Sequence, residues 1–175
     1  MATIINASNS TGLTLTSDLS GTLQFQNNGV NLPMSGIAPA FSAYANAVQS
    51  VTSGALTKVT FGAEDFDTAN CFASSTFTPT VAGYYQLNAV VRFNGTSSNS
   101  YEAIFYKNGA GYAYVFAFNG TGGTLLGSGS VVMYLNGSTD YVEIYADVNG
   151  TGTSFSQNNT AVTTSRFSGC LVRGA

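Results

Sequence analysis

The sequence predicts an all-β sandwich. Three observations lead there: six Asn-Gly pairs punctuate the chain, runs rich in Val, Tyr, Phe and Thr lie between them, and the clearest run alternates on a period of two. Asn and Gly tolerate the positive φ of tight hairpins, so Asn28-Gly29, Asn94-Gly95, Asn108-Gly109, Asn119-Gly120, Asn136-Gly137 and Asn149-Gly150 all read as turns. In the clearest run, Tyr85, Leu87, Ala89, Val91 and Phe93 share one face, while Gln86, Asn88, Val90 and Arg92 share the other, as in a half-buried strand. Further strands are expected near 56 to 61, 72 to 78, 101 to 107, 111 to 118, 127 to 135, 140 to 147, 153 to 157 and 164 to 173. Strands recurring every 8 to 12 residues indicate a sandwich or barrel. No segment sustains helical periodicity with caps, so no long helix is expected.

The run Tyr112 to Phe118 reads YAYVFAF, which places Tyr112, Tyr114, Phe116 and Phe118 on one face and Ala113, Val115 and Ala117 on the other. Both faces are apolar. An antiparallel sandwich normally wets one face of each sheet, so the outer face of this strand is covered either by another subunit or by a long loop. Residues 1 to 36 differ from the rest: short alternating pieces such as Thr22 to Gln26 are separated by Ser, Asn and Gly, with Pro33 near the end. This stretch reads as an extended arm, too short and too polar to build a core. A second domain, 37 to 175, follows it.

The composition narrows the function. Charged residues make up only 7% of the chain, against about 25% in ordinary soluble proteins. Ser, Thr, Asn and Gly must then cover much of the surface, as is common in extracellular and virion β-proteins. The five basic residues, Lys58, Arg92, Lys107, Arg166 and Arg173, are scattered and the net charge is −3, so no basic stripe is present to bind nucleic acid. The opening MATIINASNS lacks the basic and apolar regions of a secretory signal, so synthesis and assembly are expected in the cytoplasm. Every apolar run is interrupted long before the roughly 20 residues of a helical membrane span, and no membrane partner is expected.

The fragments AFSA (Ala40 to Ala43), FTPTVAGYY (Phe77 to Tyr85), Ile104 with Lys107-Asn108-Gly109, Tyr134-Leu135 leading to Asp140-Tyr141-Val142-Glu143, and FSGCLV (Phe167 to Val172) occur in this order. The stretch that they cover, about 40 to 173, resembles the complement globular-head (C1q) and tumour-necrosis-factor-like (TNF) family. The resemblance implies a ten-stranded antiparallel jelly-roll sandwich that forms a tight homotrimer with aromatic residues between subunits. The expected interface residues are Tyr84, Tyr112, Tyr114, Phe116 and Phe118. The collagen-like stalk of animal members is missing, so their immune and hormone-like roles are not implied. MATIINAS, Ser10-Thr11-Gly12-Leu13 and Ser20-Gly21-Thr22-Leu23-Gln24 resemble the start of tailed-phage structural proteins, whose globular heads also share the wording of FDTANCF and FTPTVAGYY. This resemblance implies a virion surface protein, either a capsid decoration or a head-fibre knob anchored by its arm to the major capsid protein or another virion protein. The alternative is a tail-associated knob that recognises a host surface glycan or protein.

Little in the chain suggests catalysis. It has no histidine, which removes the usual base for a Ser or Cys nucleophile and the commonest zinc ligand. Cys71 and Cys170 lie 99 positions apart with no CxxC partner. They form one long-range disulfide or stand as two buried thiols, and the missing export signal favours thiols. Gly122-Gly123 lacks the Gly-Lys-Ser/Thr ending of a phosphate loop. Glu64, Asp65 and Asp67 could hold calcium, although a solvated loop is the simpler reading and no cofactor is expected. A glycosidase pair such as Glu102 with Glu143 is not selected by any pattern. Arg92 and Arg166 are expected to pair across strands with Glu102, Glu143 or Asp147.

Overall fold

The computed structural model describes residues 38–150 and 164–175 in full, apart from the side chains of 95–99 and 121–122, together with the backbone of short strands at Phe25–Asn27, Val30–Leu32, Ser154–Ser156, Asn158–Asn159 and Val162–Thr163. The chain divides into two units, Met1–Leu32 and Pro33–Ala175. In the first, β1 (Phe25–Asn27) pairs antiparallel with β2 (Val30–Leu32). The rest of the expected arm, with Asn28-Gly29, lies outside the described residues.

The second unit contains β3 (Ala40–Tyr44), β4 (Gln49–Ser50), β5 (Thr57–Lys58), β6 (Ala63–Asp67), β7 (Phe72–Ala73), β8 (Thr76–Phe77), β9 (Gly83–Lys107), β10 (Ala110–Leu135), β11 (Val142–Asn149), β12 (Ser154–Ser156), β13 (Asn158–Asn159), β14 (Val162–Thr163) and β15 (Arg166–Gly174). Two of these are far longer than the expected strands. β9 and β10 form one hairpin that runs from the Lys107↔Ala110 pair to the Gly83↔Leu135 pair. β15 pairs with the first half of β9, at 83 to 90, whereas β11 pairs with its second half, at 100 to 107. The hairpin therefore passes through both layers of a sandwich. One layer is ordered β6-β3-β15-β9-β10 and the other β10-β9-β11-β8-β7; β12 also pairs with β9 and with β4, and β5 pairs with β11.

Burial along β9 explains this path. Tyr85, Leu87, Ala89, Val91 and Phe93 are buried in the first half, and Tyr101, Ala103 and Phe105 in the second. All eight lie on one side of a period-two strand, so one face can line the core throughout only if the strand curls around it. Asn94-Gly95 and Asn119-Gly120, expected as turns, instead lie within β9 and β10 where the hairpin crosses between layers. Asn136-Gly137 lies in the turn between β10 and β11, and Asn108-Gly109 is a tight hairpin turn, with φ of 54° and 77°. Both residues take the positive φ of a two-residue hairpin.

At the free edge, the two halves of β10 come into backbone contact. A Cβ on Gly129 would lie 2.1 Å from the carbonyl oxygen of Val115, and one on Gly127 would lie 2.1 Å from the ring of Phe116. The inward positions here carry no side chain, so the layers can close on each other. The core itself is aromatic: Phe41 stacks on Phe72 and Phe77 at 4.8 and 4.4 Å and meets Phe167 edge-on at 4.9 Å. The fully buried phenol of Tyr85 is satisfied by donating to the Val81 carbonyl at 2.7 Å.

Candidate interaction surfaces

The acidic cluster is a strand with structural partners. Asp65 is the extra residue of a bulge in β6, opposite the Ser42/Ala43 step of β3. It takes the Arg166 guanidinium and accepts the Ser42 hydroxyl at 2.8 Å. Asp67 accepts the amides of Ala69 and Phe72 at 3.2 and 2.7 Å and the thiol of Cys71 at 3.4 Å. Among the described residues no three carboxylate, thiol or imidazole groups converge on one point. The expected cross-strand partners of Arg166 are corrected accordingly: it pairs with Asp65, and Glu143 is held by Lys58 at 2.7 Å and by Thr76 at 3.0 Å.

Both cysteines are thiols, but only Cys71 is buried. Burial first, and then the Asp67 carboxylate, push its pKa up to about 12, so it is unreactive. Cys170 is exposed on β15, a departure from the expected buried pair.

Asp140 clamps the turn between β10 and β11. It accepts Asn108 Nδ2 at 2.7 Å, the Asn136 amide at 3.0 Å and Lys107 Nζ at 3.0 Å. The Asn108 hydrogen bond, and after it Lys107 and the Asn136 amide, hold its carboxyl below the ordinary 3.8. The stability it contributes is complete above that ordinary value and is lost as pH falls through the lower folded value. Asp140→Asn should lower the melting temperature at neutral pH, and the gap to the parent should close on acidification; a gap that persists in strong acid would remove the charge from the explanation.

The five expected interface residues do not share one surface. Tyr112 and Tyr114, 52% and 62% exposed, lie on the outer face of the β10-β9-β11 layer, and Tyr84, 47% exposed, lies on the other layer. Phe116 turns inward, edge-on to Phe93 at 5.2 Å, and Phe118 follows on the inward side beside Tyr101, although it is 47% exposed beyond the end of the core. The shared face expected for YAYVFAF is therefore corrected. Register shifts at Gly111/Ala113 and Tyr114/Phe116 each insert a residue, and the second reverses the alternation so that Val115 is buried as well.

Two exposed patches result. The β6-β3-β15-β9-β10 layer, or inner layer, has Ser42, Ser168, Asn88 and Ser130 across the middle of its outward face. At the end near Gly83 this polar face gives way to Tyr84, Val132, Tyr134 and Val172, all exposed, with the two tyrosine rings edge-on at 5.7 Å. Sequence reasoning missed Val132, Tyr134 and Val172, although Val132 and Tyr134 alternate visibly with the inward Met133 and Leu135. The other layer, the outer one, carries Tyr106, Tyr114, Tyr145 and Ile104 on its solvent side.

No family model matches the chain, and no curated protein matches it either. Solved structures do match. The globular domain of zebrafish complement 1qA is similar over 78% of this chain and 99% of its own, at 19% identity and a TM-score of 0.56. The chain has the C1q/TNF-like jelly-roll fold. Murine APRIL, from a crystal structure at pH 8.0, is similar over 77% of this chain and 99% of its own, with 11% identity and a TM-score of 0.56. Eiger TNF from S. frugiperda is similar over 79% and 94%, with 10% identity and a TM-score of 0.57. Among the described residues, β10 pairs only with β9 and forms the free edge of both layers.

Proposed function

We propose that this jelly roll is a non-enzymatic structural protein of a tailed-phage particle, a homotrimeric capsid decoration or head-fibre knob carried by its arm of residues 1 to 36. The observation that carries the reading is the patch of Tyr84, Val132, Tyr134 and Val172 beside the unpaired β10 edge. Exposed apolar residues grouped next to a long free edge are a liability that a neighbouring copy removes. A contact between two different surfaces of one chain closes into a ring when the rotation allows, and three copies match the resemblance seen in the sequence. A trimer also engages the particle through three arms at once, which makes attachment firm even when one arm binds weakly. The opening MATIINAS and the weakly charged surface support the virion setting.

Sedimentation of the full chain should give a trimer, and Tyr84→Asp with Val132→Asp should give a folded monomer. A parent protein that sediments as a monomer at micromolar concentration would overturn the reading. On particles, many copies on the head are expected; a few copies at the tail tip would favour the adhesion knob.

A further inference from the structure

The outer layer has a solvent face unlike the inner patch. Tyr114, Ile104 and Tyr145 form one cross-strand row, and Gly111, Tyr106 and Glu143 form the next. Tyr106 and Tyr145 lie 4.4 Å apart with their planes 34° from parallel. Beside them runs an open groove lined by Ile104, Gly111, Tyr112, Ala113 and Tyr114. Gly111 leaves its floor bare: even a Cβ there would only touch Tyr106 and Ile104, at 3.7 and 3.8 Å. A third row, Ala117, Glu102 and Asp147, follows the Tyr114, Ile104 and Tyr145 row on the same face, with two carboxylates directly opposite each other. Like charges placed so are unfavourable without donors between them, and Asp147 Oδ1 is buried with no hydrogen-bond partner among the described residues.

We infer that this face binds a neutral saccharide, with the tyrosine rings receiving the C–H face of a sugar and the partly exposed Glu102 carboxylate accepting its hydroxyls. The residue types favour that ligand over an oily one. Except for Ile104, the large side chains here are tyrosines, each an apolar ring with a polar tip, whereas the inner patch adds valines and no carboxylate. The charge balance favours a neutral ligand over an anionic one. Among the described residues, Glu102, Glu143 and Asp147 share the face with Lys58 alone, and its ammonium is already held by Glu143 at 2.7 Å. Acceptors are in surplus, and a polyol supplies donors without adding negative charge. The inference rests on the proposed trimer only in that the inner layer, and not this one, meets neighbouring copies.

The test is saturation-transfer NMR on the full chain with lactose, maltose and chitobiose as neutral probes and sialyllactose as the charged one, alongside sedimentation. Transfer to ring C–H protons of at least one neutral sugar is expected, weakened about tenfold or more in Y112S/Y114S, while that variant keeps the parent's oligomeric state and sialyllactose binds less well. Four outcomes would overturn the inference. They are no transfer to any neutral sugar, transfer unchanged in Y112S/Y114S, equal or stronger binding of sialyllactose, or dissociation of Y112S/Y114S, which would give these rings to a contact between copies. A monomeric parent would overturn the trimer reading by itself, whatever the sugars do.

Discussion

Gly129→Ala should destabilise the protein by about 3 kcal/mol or more, at or beyond the upper end of ordinary overpacking. The added methyl would sit 2.1 Å from the carbonyl oxygen of Val115 and 2.8 Å from its carbonyl carbon. Those atoms are backbone, so no rotamer change can clear them. Either the layers part at the β10 edge or the bulge that buries Val115 is undone. Gly111→Ala is the control on the same strand. Its Cβ meets only side chains at ordinary contact distance, so a change within about 0.5 kcal/mol is expected. Urea unfolding of the two variants at matched protein concentration decides the matter, and equal midpoints would mean that the layers do not touch where the geometry puts them. Because the same half of β10 carries Val132 and Tyr134, opening this edge should also weaken the proposed self-association.

How far the structure could be read from the sequence follows from what each interaction needs. The inward face of β9 was legible residue by residue: Tyr85, Leu87, Ala89, Val91 and Phe93 are all buried. Period-two alternation is a local property of an unbroken strand, so no partner has to be known. The Asn108-Gly109 turn was legible for the same reason. The bulges in β10 were not, because an extra residue is defined only by what it pairs with on β9, and one unread bulge sends Phe116 to the wrong face. The same limit hid β6. Glu64, Asp65 and Asp67 look like a solvated loop until Arg166, 101 positions away, is found to neutralise Asp65. Asn94-Gly95 and Asn119-Gly120 misled in the opposite direction, since their local chemistry is that of a turn while the crossing hairpin keeps them in strands. The candidate surfaces follow this pattern. Tyr84, Tyr112 and Tyr114 were identifiable as outward aromatics, but their division between two layers depends on which strand β9 pairs with in each half.

Phe41→Ala should be the other costly change, at about 3–5 kcal/mol, the range for emptying a buried aromatic site. Phe41 is 1% exposed and belongs to β3 of the inner layer, yet it stacks on Phe72 and Phe77, which belong to the short β7 and β8 of the outer layer. The ring is therefore a principal contact between the layers at this end of the sandwich, where Phe167 of β15 closes the cluster edge-on. β7 and β8 have two residues each and little ladder of their own, so their position depends on that contact. Alanine leaves a void between layers that the paired strands β3, β6 and β15 cannot collapse to fill. Phe41→Leu keeps most of the volume and loses the ring geometry, so its cost should stay near or below about 1.5 kcal/mol. Thermal unfolding of the two variants, with near-ultraviolet circular dichroism reporting the aromatic packing, checks the difference. If the alanine variant loses no more stability than the leucine variant, the aromatic cluster is not what joins β3 to β7 and β8.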